Sequence, residues 1–376
     1  MAILAALFVL ADLIQALAGW IALRHFRRQR RLTPPNPRLA ITILKPLHGA
    51  EPLLETALAS LCALDYAPMQ IVFGVQDPAD PALAVLARLQ SRFPDRDIVI
   101  VVDPTVHGGN RKVANLINMF PAARHDILVI ADSDVHAPPD YLDAIAVTLA
   151  QPGTGLATLL YAGRPATISL AASLGTAWIN HVFLPGALLA YALGRQDCLG
   201  ATMALSRDTL AAIGGLEAIA DDLADDQMLG RRVRRLGLDI RLTPIIVATT
   251  IPETTLGALW RHELRWARTI RALEPIGFAA SALQHPLAWA LLAIALSGAE
   301  SWSVALFLAA WSIRAFAARR IDAELARIDE TLATRVAIWL FPLRDLISLA
   351  ILLASYAGTR VEWRGHTLHT TGSPPR

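Results

Sequence analysis

Apolar positions along this chain follow two different rhythms. From Ala2 to Leu23 only Asp12 and Gln15 interrupt an apolar run, which suits a single span of about 20 residues. The stretches 277–298, 301–317 and 336–357 repeat the pattern toward the other end. The first two are parted near Ser297-Gly298 and Glu300, and the third carries Arg344 and Asp345 near its middle. Between residues 40 and 250 the apolar runs are short and rich in β-branched residues: Ile41–Leu44, Ile71–Val75, Ile98–Val102 and Ile127–Ile130. These predict buried strands, and the stretches 51–64 and 79–92 between them predict helices. Such alternation implies an α/β domain with a mostly parallel sheet and helices on both faces. Ligands of such sheets bind beyond the C-terminal ends of the strands.

Flanking charge orients the apolar segments. Arg24, Arg27, Arg28, Arg30 and Arg31 follow the first run directly, so the N-terminus should face outward and the next domain the cytoplasm. A cleaved signal peptide would carry its positive charge before the apolar run. Prolines in Thr33-Pro34-Pro35-Asn36-Pro37 break both helix and strand. Five regions result: an anchor (1–23), a basic and proline-rich linker (24–39), a catalytic domain (40–272), a membrane region of two or three segments (273–358) and a tail (359–376). Arg319, Arg320, Arg327 and Arg335 make the loop before the last segment cytoplasmic. Arg360 and Arg364 favour a return of the chain to that side, while 336–357 either crosses or re-enters.

Composition agrees. The hydrophobic share is 54% and the mean hydropathy +0.43, above the usual range for soluble domains. A net charge of +2 argues against nucleic acid as a partner. Two cysteines, Cys62 and Cys198, supply neither a disulfide framework nor a zinc site.

Candidate chemistry clusters in five places. Asp132-Ser133-Asp134 comes straight off a predicted strand, where two carboxylates can offer oxygens to Mg²⁺ or Mn²⁺ together with a diphosphate. A turn followed by a helix cap is the structural alternative. Asp77 and Asp80 follow the second strand, where a base or ribose would dock, although Asp-Pro turns explain at least one of them. The His107-Gly108-Gly109-Asn110-Arg111-Lys112 loop feeds a helix, and Lys112 could meet a phosphate. Asp221-Asp222-Leu223-Ala224-Asp225-Asp226 is expected to open a helix running toward Arg231–Arg235, an order the helix dipole favours by itself, while one of these acids could act as a base. In Arg261-His262-Glu263-Leu264-Arg265-Trp266, a basic stripe beside Trp suits a diphosphate or membrane phosphates. Residues 165–194 are apolar but interrupted, and suit either a core or a bilayer surface.

Taken in order, these motifs resemble the membrane-bound family 2-like glycosyltransferases, most closely the ceramide glucosyltransferase-like group. Within that group the chain is similar to the hopanoid-biosynthesis-associated glycosyltransferases of bacteria. Leu44–Gly49, Val75–Ala82, Asn110–Leu116, the Asp132 cluster, Gly200–Leu205, Gly214–Leu216, Asp225-Asp226 and Arg265-Trp266 carry the likeness. The resemblance implies a GT-A fold in the bacterial inner membrane with a cytoplasmic catalytic domain. It further implies inverting transfer from a UDP-sugar, UDP-N-acetylglucosamine for a hopanoid enzyme, to a lipid hydroxyl. It gives Asp80 to the nucleotide, Asp132 to the metal and diphosphate, Asp226 to the catalytic base, and Arg265 and Trp266 to the diphosphate. His262 stands where the family has Gln or Arg, and Asp134 adds a carboxylate. A ceramide glucosyltransferase, a processive polysaccharide synthase and a silent nucleotide-binding scaffold are the alternatives.

Overall fold

The computed structural model describes residues 1–29, 33–332 and 336–358 in full, and the backbone of 360–363 and 366–369. Arg30, Arg31, Arg335 and Arg364, used above to orient the chain, lie outside the described residues, as does the side chain of Arg360.

The chain divides into two compact units. The sheet unit comprises Gln29–Tyr161 and Gly194–Thr250; the helical unit comprises Met1–Arg28, Ala162–Leu193 and Ile251–Arg376. Residues 162–193 and 251–272, placed by the sequence in one catalytic domain, therefore fold with the apolar segments. Their helices are amphipathic or apolar and find their partners there, Leu174 and Leu259 sharing a core with Val9, Leu287 and Phe341.

Eight strands form one sheet: β1 (Ile41–Pro46), β2 (Met69–Val75), β3 (Ile98–Val102), β4 (Ile127–Ala131), β5 (Val135–His136), β6 (Thr154–Pro165), β7 (Thr202–Ser206) and β8 (Asp239–Ile251). Their order is β3-β2-β1-β4-β7-β6-β8-β5. The first four are parallel, with Ile43 opposite Ile71 on one side and Val129 on the other. β4 with β7, β7 with β6 and β5 with β8 pair antiparallel. All four predicted strands and both predicted helices (Leu54–Cys62 and Ala82–Arg92) are present.

Side chains alternate across each strand, and here both faces are covered. Ile41, Ile43, Ile71 and Phe73 pack with Leu58, Leu61, Leu86 and Leu89. Leu44, Val72, Leu128 and Ile130 pack with Val113, Leu116, Leu229 and Val233 on the other face. That double burial makes the strand sequences continuous apolar runs instead of alternating ones. It also leaves the ends of β1, β2 and β4 as the edge where polar groups can gather.

In the helical unit, Ala2–Arg27 and Ser301–Ala326 are long and apolar enough to cross a membrane. The latter takes in Arg319 and Arg320, which the sequence left in a loop. The 277–298 stretch is two helices, Pro275–Gln284 and Pro286–Ser297, bent by 67°. His285 leaves helical geometry (φ −130°, ψ 64°) because the residue before proline is pushed out of the α region. The last segment forms a 16-residue helix, Leu340–Ser355. Arg344 and Asp345 are masked, but not by each other: Arg344 grips Glu263 and Arg314 grips Asp345. Residues 170–192 are helical throughout, with a π turn at Ile179–Phe183.

Candidate active site

The polar edge of the sheet unit is assembled by one strand end and two helix starts. β4 ends at Ala131, and Asp132 N–H donates (3.1 Å) to the O of Ala201, the residue just before β7. Asn110 caps the helix Arg111–Met119, accepting from Lys112 and Val113 N–H at 3.0 and 3.2 Å. That cap puts Lys112 in the first turn, and its Nζ lies 2.7 Å from Asp132 and 3.1 Å from Asp225. The helix expected from Asp221 begins instead at Asp225 and runs to Arg235, Asp221–Ala224 forming the turn before it. Burial opposes the charge on Lys112, but Asp132 and Asp225 outweigh it and hold the ammonium protonated far above its usual range.

Asp225 and Asp226 separate cleanly. Asp225 is buried beside Lys112. Asp226 is half-buried, and its Oδ1 accepts from the N–H of Gln227 (2.7 Å). Burial first, then the charge of Asp225, pushes the Asp226 carboxyl up to about 7. The space for its carboxylate comes from Gly200, where an added Cβ would lie 2.8 Å from Asp226 Oδ2.

Asp132 and Asp134 engage different partners. Asp132 faces Lys112, whereas Asp134 Oδ2 accepts from Thr249 Oγ1 at 2.6 Å. Burial and then the charge of Asp132 raise the Asp134 carboxyl to about 6. Sequence reasoning missed Lys45, a fully buried lysine on β1 whose Nζ donates to Val135 O at 3.1 Å. Burial lowers it to about 8 against the pull of Asp134, Asp132 and Glu51. A lysine inside an otherwise apolar strand was the signal available.

Among the described residues no group of three or more His, Cys, Asp or Glu is arranged to hold a metal. Mg²⁺ and Mn²⁺ do not require one, since they bind through one or two carboxylates plus substrate phosphates. The donor set fits that mode. Five acids (Glu51, Asp132, Asp134, Asp225 and Asp226) share the field of two lysines, Lys45 and Lys112, a deficit of positive charge with Asp132 at its accessible side.

Asp77 and Asp80 hold the second strand's exit loop. Asp77 is exposed and caps its own turn through Ala79 N–H (2.8 Å). Asp80 is buried, and both its oxygens accept Gly49 N–H at 3.0 and 2.9 Å, while Oδ1 also takes Ala82 N–H. His48 lies 3.7 Å from it. Asp80 thus fixes the Leu47–Gly49 loop at the end of β1.

In the helical unit, Thr255 caps the helix Leu256–Leu273 through Ala258 N–H. Leu259, Glu263 and Ala267 form its buried stripe, one turn apart. His262 Nδ1 is hydrogen-bonded to Glu253 Oε1, and its ring stands edge-on to Trp266 at 4.4 Å. Trp178 continues the aromatic wall, 5.4 Å from Trp266. Burial would raise Glu253, but the hydrogen bond and charge of His262 hold it below the usual range. Glu253 was not singled out by sequence, because nothing local marks a partner nine residues away.

Comparison with known proteins follows from this arrangement. The family described as Glycosyl transferase family 21 matches residues 3–373. A ceramide glucosyltransferase of Komagataella phaffii is 31% identical over 140 residues, 36% of this chain and 28% of its own length. The match to this fungal relative therefore spans under a third of it. Ceramide glucosyltransferase 1 of Caenorhabditis elegans is 22% identical over 340 residues, 88% of this chain and 72% of that protein. An N-acetylglucosaminyltransferase of Rhizobium leguminosarum bv. viciae is 23% identical over 259 residues, 65% of this chain and 60% of its own. Among solved structures, the mannosyltransferase PcManGT of Pyrobaculum calidifontis superposes with a TM-score of 0.52 at 17% identity, covering 93% of this chain and 99% of that one. The shared fold is GT-A.

Proposed function

Because the chain belongs to glycosyl transferase family 21, we propose that it moves one sugar from a UDP-sugar to a hydroxyl of a membrane lipid, inverting the anomeric centre. The observation that carries this reading is the contrast between Asp225 and Asp226. Asp225 is tied to Lys112, whereas Asp226 keeps a carboxyl lifted to about 7 and has room beside Gly200. A base poised near the working pH is what deprotonating an alcohol needs.

In this reading Asp226 takes the acceptor proton as the alcohol oxygen attacks the anomeric carbon and the bond to UDP breaks. Lys112 engages Asp225 and holds Asp132 in place. Asp132 would hold Mg²⁺ or Mn²⁺ together with the diphosphate, and the cation would neutralise the charge that builds on the departing UDP. Asp80 serves the nucleotide indirectly by fixing the Gly49 loop. Arg265, Trp266 and His262, the last held by Glu253, are assigned to the diphosphate by the family likeness. Asp134 is assigned to support the metal site from its bond to Thr249.

The acceptor is proposed to be a polyhydroxylated hopanoid and the donor UDP-N-acetylglucosamine, at the cytoplasmic face of a bacterial inner membrane. The relative named N-acetylglucosaminyltransferase supports the donor. Relatives named ceramide glucosyltransferase support a sphingolipid acceptor and UDP-glucose equally well. The test is direct: purified protein in lipid nanodiscs is given each donor with each lipid, and products are read by mass spectrometry. A glycosylated hopanoid formed only in the presence of Mg²⁺ or Mn²⁺ supports the full reading. Ceramide product replaces the acceptor assignment. UDP binding without any glycolipid, across all four combinations, sinks the enzyme reading.

A further inference from the structure

Among the described residues, four of the buried polar atoms in the helical unit that lack a hydrogen-bond partner belong to three residues lining one cavity. They are both carboxylate oxygens of Asp12, Nδ1 of His181 and Nε of Arg314. The cavity measures about 30 Å³ and is also lined by Gln15 and Gln284. Asp12, His181 and Arg314 are 3%, 3% and 4% exposed, so bulk water does not serve them. Asp12 and Arg314 sit on the two helices long enough to cross a membrane. There an unmet polar group costs several kcal/mol, on the order of that in hydrocarbon.

The indole and guanidinium donors nearby are directed largely elsewhere. Trp289, whose indole lies beside Asp12, gives its N–H to Ala282 O at 2.8 Å. Arg314 Nη2 is bound to Asp345 (3.1 Å) and Nη1 reaches His181 O (3.5 Å). His181 Nε2 is bonded to Asp322 Oδ1 (2.8 Å), which leaves Nδ1 as a lone-pair acceptor. The unmet atoms are therefore three acceptors, the two Asp12 oxygens and His181 Nδ1, and one donor, Arg314 Nε–H, with the amides of Gln15 and Gln284 also on the wall.

We propose that this cavity is a hydration site, holding one or two water molecules that join the helix Ala2–Arg27 to the π turn and to the helix Ser301–Ala326. A cavity must offer roughly 10–15 Å³ to hold a water, so the volume suffices for that and for little more. Two waters match the complement: between them they donate to both Asp12 oxygens and to His181 Nδ1, and one accepts from Arg314 Nε–H. A lipid hydroxyl donates once and would leave two of the three acceptors unmet. The walls are built to stay in place, since Gly19 lets Pro185 approach so closely that a Cβ there would lie 2.5 Å from it. This proposal does not depend on the transferase reading.

X-ray radiolytic footprinting of the full chain in nanodiscs tests it, because radicals made from bound water oxidise the side chains beside it. His181 and Pro185 should label several-fold faster than the equally buried His136, which is hydrogen-bonded to Thr250 (2.9 Å). Asp12→Leu should abolish that excess and lower the melting temperature, and Asp12→Asn, which keeps an acceptor, should retain both. Labelling of His181 no faster than His136 means a dry cavity and overturns the proposal. Loss of the excess on adding a hydroxylated lipid would make the occupant a lipid hydroxyl, which overturns it as well. If Asp12→Leu does not fold, Asp12→Asn with unchanged labelling and the lipid addition still decide.

Discussion

The two units treat buried charge in opposite ways. In the helical unit buried acids have matched partners: Glu263 with Arg344, Asp345 with Arg314, Asp322 with His181, and Glu324 with Arg27. Asp12 departs from this and faces the cavity. In the sheet unit five acids converge on two lysines, and burial first, then the neighbouring negative charge, lifts Asp134 and Asp226 to about 6 and about 7. Neutral pairing is what an apolar environment demands, because an uncompensated ion there is too costly. Retained imbalance marks chemistry: perturbed acids at the end of a sheet are poised to exchange protons and to accept a cation. The helical unit spends its charges on holding helices together, the sheet unit on a site.

The comparison is broken most forcefully at Asp226. Asp226→Asn should cut turnover by about 10²–10⁴-fold, the usual worth of a positioned base, while UDP binding survives. Asp225→Asn should cost less, since Lys112 keeps its bond to Asp132. Single-turnover kinetics with calorimetric UDP binding separate the two. A dead Asp225→Asn beside an active Asp226→Asn would reverse the roles.

In the helical unit the corresponding break is Arg344. Its guanidinium is fully buried and donates to both oxygens of Glu263 at 2.8 and 2.6 Å. Arg344→Met should destabilise the protein by about 3–5 kcal/mol, because Glu263 is left buried and charged. Adding Glu263→Gln should recover most of that loss, which thermal unfolding in nanodiscs would register. Equal stabilities for the single and double variants would show that packing, rather than pairing, holds this joint.

Much of this division was legible before any coordinates. The β-branched runs gave the four parallel strands because burial on both faces leaves no polar alternation to misread. Asp132, Asp226 and Lys112 could be placed near one edge because each sits at a strand end or a helix start, where position is limited to a turn or two. Pairings between distant segments were not findable. Arg344 with Glu263 and His262 with Glu253 depend on how helices pack, which local periodicity does not encode. The unit boundary failed to show for the same reason: residues 162–193 and 251–272 are drawn to the apolar helices by their packing faces, not by any linker.

A third expectation concerns pH. The Asp226 carboxyl stands at about 7, raised from 3.8, so its basic form is lost as pH falls through that value. kcat/KM should drop about tenfold per pH unit below the midpoint, and Asp226→Asn should erase this limb. Stability should move the other way. A carboxyl whose folded value is raised favours the fold below its unfolded value, and that contribution disappears between 3.8 and about 7 as the unfolded chain ionises first. Asp226→Asn should therefore raise the melting temperature more at pH 8 than at pH 4. A flat rate profile, or a variant stabilised equally at both pH values, would assign the titration elsewhere.

The finest probe is Gly200. An added Cβ would lie 2.8 Å from Asp226 Oδ2, 3.2 Å from Cγ and 3.3 Å from Cβ. The obstacle is the side chain of Asp226, with no backbone atom among the nearest three, so it yields by rotating a few tenths of an ångström. Gly200→Ala should leave folding nearly intact. Turnover should fall, because a base displaced from its line of attack loses effectiveness, and a misplacement of about 1 Å can cost on the order of 10²-fold. The smaller shift here should cost under about 10²-fold, less than removal of the carboxylate. KM for the UDP-sugar should hold, since neither Asp132 nor Lys112 is disturbed. A variant that loses donor binding instead would mean that Gly200 leaves its space for the nucleotide-sugar, and that Asp226 stands beside the donor instead of the acceptor.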